Sequence, residues 1–141
     1  MAIVSSVCSS FLQELMNKEH DLNTDSIKMA LYTIGATLGA ATTAYSATNE
    51  VTGTGYTAGG VTLTNGVLSL SGGVAFVDWD NAVWTSSTIT ANGGLIYNSS
   101  NSNKAIASIY FGGDFVTSNQ ALTYAFPTAD SANAIIRIGP G

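Results

Sequence analysis

A chain of 141 residues fits a single domain, 1–141, which by area scaling buries roughly 70% of the surface its unfolded form exposes. Charged residues make up only 9% of it, against about 25% in ordinary soluble domains, and the net charge is −5, so Ser, Thr, Asn and Gly supply the polarity. The four basic residues, Lys18, Lys28, Lys104 and Arg137, are scattered, which argues against direct nucleic-acid binding, and the lone Cys8 excludes an intrachain disulfide or a cysteine-based zinc site.

Residues 1–6 lack the basic segment of a signal peptide, and no apolar run is long enough to cross a bilayer, so synthesis in the cytoplasm without a membrane anchor is expected. Cys8, Phe11, Leu12, Leu15 and Met16 then recur at helical spacing. This predicts an N-terminal amphipathic helix within 1–22, capped by Ser9 or Ser10 and ended by Asp21, Leu22 and Asn23. Such a helix either covers one side of a sheet or docks on a neighbour. His20 is expected to be solvated near the helix end, beside Glu19 and Asp21. Cys8 is expected to be a small buried apolar group.

The period changes to two at 26–33, where Ile27, Met29 and Leu31 alternate with Lys28, Ala30 and Tyr32, the pattern of a strand. From 36 to 60 the chain is rich in Ala, Thr and Gly without periodicity, which predicts one long, ordered loop of the kind that carries contacts. A series of short strands follows at 61–64, 67–70, 74–77, 82–85, 88–91, 95–97, 105–111, 121–126 and 134–138. Asn65-Gly66 is expected to turn a hairpin, and Gly72-Gly73, Asn92-Gly93-Gly94, Asn98 to Asn103 and Gly112-Gly113 punctuate the rest. Strands at this spacing, with no helical pattern between them, predict a mainly β protein. The fold class is an antiparallel β-sandwich or jelly-roll-like body over 26–138, with the N-terminal helix and the long loop attached.

Groups for catalysis are sparse. A Ser-His-Asp triad would have to use His20, and no G-x-S-x-G turn supplies a nucleophile. Gly53-Thr54-Gly55-Tyr56-Thr57-Ala58 matches G-x-G-x-x-A, but the β-branched run that follows makes it a turn and not a cofactor loop. Asp78, Asp80 and Asn81 have the oxygen density a hard cation wants, yet the glycine and glutamate of an EF-hand are missing. They read as an Asx-type turn, with Trp79 or Trp84 filling the core or an interface. No catalytic residue, cofactor or metal ligand is assigned, and the chain is expected not to be an enzyme.

Taken in order, Asn49-Glu50-Val51, Gly55-Tyr56-Thr57-Ala58-Gly59-Gly60, Val74-Ala75-Phe76, Trp84, Gly94-Leu95-Ile96-Tyr97-Asn98, Phe126-Pro127 and Ala134-Ile135-Ile136-Arg137-Ile138 resemble small virion proteins of tailed bacteriophages, of the capsid decoration (cement) type. The likeness also takes in the strand at 27–33. It implies a non-enzymatic structural protein of the virion capsid surface, a homo-oligomer (trimer or dimer) that binds the major capsid protein lattice and stabilises the head. On that reading Phe11, Leu12, Leu15, Tyr45, Tyr56, Trp79 and Trp84 are the interface residues, since aromatic and apolar anchors carry interface energy. A tail, neck or fibre component is the alternative within the same particle. A carbohydrate-binding jelly roll using Trp79, Trp84 and Tyr97 is the alternative from another class.

Overall fold

The computed structural model describes residues 2–140. It contains β1 (Ser6–Val7), α1 (Ser9–Met16), β2 (Ile27–Tyr32), β3 (Val61–Thr62), β4 (Val67–Ser71), β5 (Val74–Asp78), β6 (Ala82–Ser87), β7 (Thr90–Asn98), β8 (Lys104–Val116), β9 (Gln120–Tyr124) and β10 (Ile136–Ile138). The protein is mainly β, 45% strand and 6% helical, with several antiparallel sheets in a sandwich-like domain. The five-stranded sheet has the order β1-β8-β7-β2-β3, a second has β10-β5-β4, and β6 pairs with β9.

β2 and β7 form the centre of the large sheet, and nearly every residue of either is buried, on both faces. On one face Tyr97 lies beside Lys28, and Tyr45 of the loop stacks on it at 4.8 Å. On the other, Asn98 lies beside Ile27 and meets His20, whose ring tilts against Phe11 of α1 at 5.0 Å. The long loop and the helical segment therefore cover opposite faces of the same sheet.

The helix is shorter than expected. Residues 6 and 7 pair with Ser108 and Ala107 as a sheet edge, so α1 begins only after Cys8, which sits at the N-cap in extended conformation with no side-chain cap from Ser9 or Ser10. It ends at Met16, and Lys18 takes a left-handed φ of 63° that turns the chain well before Asp21. Phe11 is buried, Leu15 is half-buried, and Leu12 and Met16 are exposed, so only part of the apolar face is used.

Two expected turns are not turns. β7 runs straight through Asn92, Gly93 and Gly94, where a Cβ on Gly93 would lie 2.4 Å from the Ile109 carbonyl and one on Gly94 would lie 2.5 Å from Met29 Cε. These glycines permit close approach of neighbouring elements. Gly112 and Gly113 fall inside β8, where the register against β7 slips between Ala91 and Gly93 in a large bulge that Asn92 bridges to Asp114 at 2.9 Å. Asn65-Gly66 does not close a hairpin either, because β3 pairs with β2 while β4 pairs with β5. Asn65 instead turns the chain from one sheet to the other and bonds Asp80 at 2.5 Å.

The tight hairpin forms at Gly72-Gly73, between the paired Ser71 and Val74, with both glycines at positive φ as a type I′ turn requires. The most confined glycine is Gly60, at φ +81°, where a Cβ would fall 1.8 Å from the Met29 carbonyl oxygen. Gly60→Ala is expected to cost about 3 kcal/mol or more, from a forbidden φ and a clash with a central strand. Gly72→Asn, with nothing within 4 Å of its Cβ, is expected to stay within about 0.5 kcal/mol of wild type. Chemical denaturation of the two variants checks the contrast.

Candidate interaction surface

Glu50 is buried, and no basic side chain pairs with it among the described residues. Its backbone bridges Tyr32 beyond the end of β3, with Val51 N–H donating to Leu31 O at 2.9 Å, so the segment extends the edge of β2. This register turns its carboxylate toward three donors: Tyr45 OH at 2.7 Å, Tyr56 OH at 2.5 Å and Gly59 N–H at 2.7 Å. Tyr97 OH then donates to Gly59 O, Tyr56 OH receives Leu31 N–H at 2.9 Å, and Tyr32 OH donates to Ser46 O. Burial first, and then the hydrogen bonds to Glu50, push the Tyr45 and Tyr56 phenols well above their ordinary range, so both stay protonated donors. These two residues, expected at an interface, are the inner ties of the loop, and each is half-buried.

Three other expected anchors are committed to the chain's own core. Phe11 packs on His20, Trp79 meets Phe126 edge-on at 6.0 Å, and Trp84 is buried with its Nε1 left without a partner among the described residues. With Tyr97 also buried, the platform for stacking a sugar on Trp79, Trp84 and Tyr97 is not at the surface. Of the expected set, Leu12 is exposed and Leu15 half-exposed.

His20 is buried, contrary to the solvated position expected of it. Asn98 donates to its Nδ1 at 3.0 Å, which leaves Nε2 to donate to Glu14 at 2.9 Å. Asn98 also bonds Asp25 at 2.7 Å, and Lys104 pairs with Glu19, so this network pins residues 17–25 over the β7–β8 loop. Both ring nitrogens are engaged in holding the fold. The Cys8 thiol is buried and pushed up to about 11, by desolvation first and then by Glu14, which makes it a poor nucleophile.

The acid cluster diverges. Asp78 is turned inward and receives Trp79 N–H at 3.0 Å, Asp80 faces Asn65, and Asn81 receives Phe126 N–H at 2.9 Å. Among the described residues no group of three His, Cys, Asp or Glu is placed to hold a metal ion. The dinucleotide-like glycines 53 and 55 pack against residues 85–89, with Thr88 N–H donating to Thr54 O at 2.9 Å, and the next element is a strand.

What the surface does offer is uncharged apolar area. All five residues of the edge strand β4 are exposed, with Leu70 at 70% and Leu68 at 51%. Beside it an open groove of about 460 Å³ lies between α1 and the β10-β5-β4 sheet, with an apolar lining that includes Phe11, Leu15, Leu68 and Ile136, and with Lys18, His20 and Asp21 along it as well. Phe115 and Val116 expose a second patch at the far end of β8. Alternation of Leu and Ser in β4 reads as a half-buried strand; its place at a sheet edge depends on pairing that no local signal encodes. No family model, curated protein or solved structure gives a match to this chain.

Two outcomes test the buried acids. Glu50→Ala is expected to cost about 3 kcal/mol in urea unfolding, because it leaves the buried Gly59 N–H and two half-buried phenols without their acceptor, while Glu50→Gln, which keeps acceptor and shape, costs about half of that. Burial, with a smaller push from Asp130, raises the Asp78 carboxyl above its ordinary value. Its ionised form is therefore disfavoured in the fold: the penalty is absent below the ordinary carboxylate range and grows as pH rises through the raised value. Asp78→Asn is expected to raise the thermal midpoint at about pH 7 and leave it unchanged near pH 3.

Proposed function

We propose that the chain is a non-enzymatic virion structural protein of a tailed bacteriophage, a capsid decoration (cement) protein that binds the major capsid protein lattice and stabilises the head. The observation that carries the reading is β4, a fully exposed, uncharged edge strand beside an open apolar groove. Free-standing proteins protect sheet edges with lysine, proline, bulges or a covering element, because an open edge templates association. β4 has none of these, and no ionisable residue lies between 66 and 77. Such a surface suits a protein that works while covered.

The remaining chemistry supports a role in contact. His20 and Glu50 are each consumed by internal hydrogen bonds, and the Cys8 thiol is held protonated. Thr- and Asn-rich surfaces hydrogen-bond across an interface without the desolvation cost of buried charge. The choice of particle rests on the resemblance of the motifs to decoration proteins.

The purified chain, added to heads that lack it, is expected to co-sediment with them at saturable stoichiometry and to protect them from heat or osmotic shock. Failure to bind such heads at micromolar concentration overturns the assignment.

A further inference from the structure

We propose that β4 pairs with β4 of a second copy, antiparallel across a twofold axis at Ser69, joining two β10-β5-β4 sheets into one six-stranded sheet. The inference rests on the structural reading above, to which it adds the interface and its symmetry.

The two-residue turn at Gly72-Gly73 makes Ser71 and Val74 a hydrogen-bonded pair. Bonded and non-bonded pairs alternate in an antiparallel ladder, so Val67, Ser69 and Ser71 spend their N–H and C=O groups on β5. Leu68 and Leu70 therefore direct theirs outward, along the open edge. The self-complementary register that overlaps all five residues of both strands is centred on Ser69. Leu68 then faces Leu70 of the other copy on each side, forming about four backbone hydrogen bonds, and the two Ser69 residues face each other as a non-bonded pair.

Side chains agree with this register. Leu68 and Leu70 share a face with Ala75, Val77, Ile136 and Ile138, because directly paired residues point the same way. Across the twofold that apolar stripe continues from copy to copy, and the most exposed leucine, Leu70, gains Leu68 of its neighbour as a cross-strand partner. Charge selects a second copy as occupant. At a net charge of −5 two chains repel, and they approach at least cost through a charge-free surface. The exposed edge of the β4–β5 hairpin is such a surface, with no ionisable group from Gly66 to Val77 and with Asp78, at the end of β5, buried. Twofold pairing consumes the edge in a dimer and makes no threefold contact.

Cysteine cross-linking of the full chain tests the register, because non-bonded antiparallel partners stand about 4.5 Å apart at Cα, within disulfide reach. Under mild oxidation Ser69→Cys is expected to give a disulfide-linked dimer, and Ser71→Cys, which faces Val67 of the other copy, is expected to stay monomeric on non-reducing gels. Sedimentation equilibrium is expected to show a wild-type dimer weakened at least tenfold by Leu70→Lys, a substitution at an exposed site that leaves the circular dichroism unchanged. Equal cross-linking of both cysteine variants, a wild type monomeric at high micromolar concentration, or no effect of Leu70→Lys overturns the pairing. A chain that cross-links at Ser69 but does not bind heads overturns the decoration reading alone. One that binds heads without cross-linking overturns the pairing alone.

Discussion

The fold depends on a buried carboxylate that has no salt-bridge partner among the described residues. Between β2 and β3 the chain runs from Thr33 to Gly60 without helix or strand, held by isolated bridges and scattered backbone hydrogen bonds such as Val4 N–H to Leu38 O and Ala105 N–H to Thr43 O. Ordering backbone costs about 1–2 kcal/mol per residue, so a segment of that length needs many ties, and helix or sheet ladders do not provide them. Glu50 does. Its three donors come from residues 45, 56 and 59, and each is itself bonded to, or stacked on, the central strands, through Leu31 N–H for Tyr56 and through Tyr97 for Tyr45 and Gly59. The carboxylate gathers the loop and clamps it to the sheet in one set of contacts. Neutral phenols and an amide satisfy it, so neither a lysine nor a metal has to be buried with it.

The opposite face is held on the same principle with different groups. His20 joins Glu14 of the helix to Asn98 of β7, and Asn98 passes the connection on to Asp25. Acids, histidine and the Lys104–Glu19 pair thus gather where the chain crosses the end of the sheet, and the few charges are spent on internal geometry. The body they support exposes few charges, Asp80, Asp114 and Arg137 among them, amid hydroxyls, amides and aliphatic side chains. A low-charge protein usually invites nonspecific association. Here the anchoring of loop and helix leaves contiguous apolar surface at the β4 edge with its groove and at the end of β8, while Met16, Ile34 and Val4 are exposed elsewhere.

Much of the strand content was legible from local pattern. The alternation at 27–32 is β2, and Gly72-Gly73 is a turn because no other residue pair fits two positive φ angles so cheaply. Misreadings share one cause. Asn92-Gly93-Gly94 and Asn65-Gly66 carry turn composition, but glycine also serves where two backbones or a backbone and a side chain approach closely, and only the three-dimensional neighbour distinguishes the uses. His20 was misplaced for a similar reason, since its partners Asn98 and Asp25 lie on other elements. The chemistry of the tryptophans suits either the core or an interface, and the core claims them. Glu50 left one faint local sign, a single acid amid uncharged residues with tyrosines on either side.

Open edges and buried polar hubs are linked by cost. A protein that leaves β4 unpaired forgoes the hydrogen bonds and apolar burial that a covering element would contribute, and exposes Leu68 and Leu70 to water at roughly 25 cal/mol per Å² of apolar surface. That deficit is tolerable only if the remainder of the chain is held without help from this edge. The Glu50 and His20 networks meet that condition: both lie on the large sheet, and neither includes a residue of the β4–β5 hairpin. The hairpin can therefore be covered or uncovered while the hydrogen-bonded frame stays as it is. Association then recovers free energy that folding left unclaimed, and a surface too apolar for a solitary monomer becomes the reason for a partner.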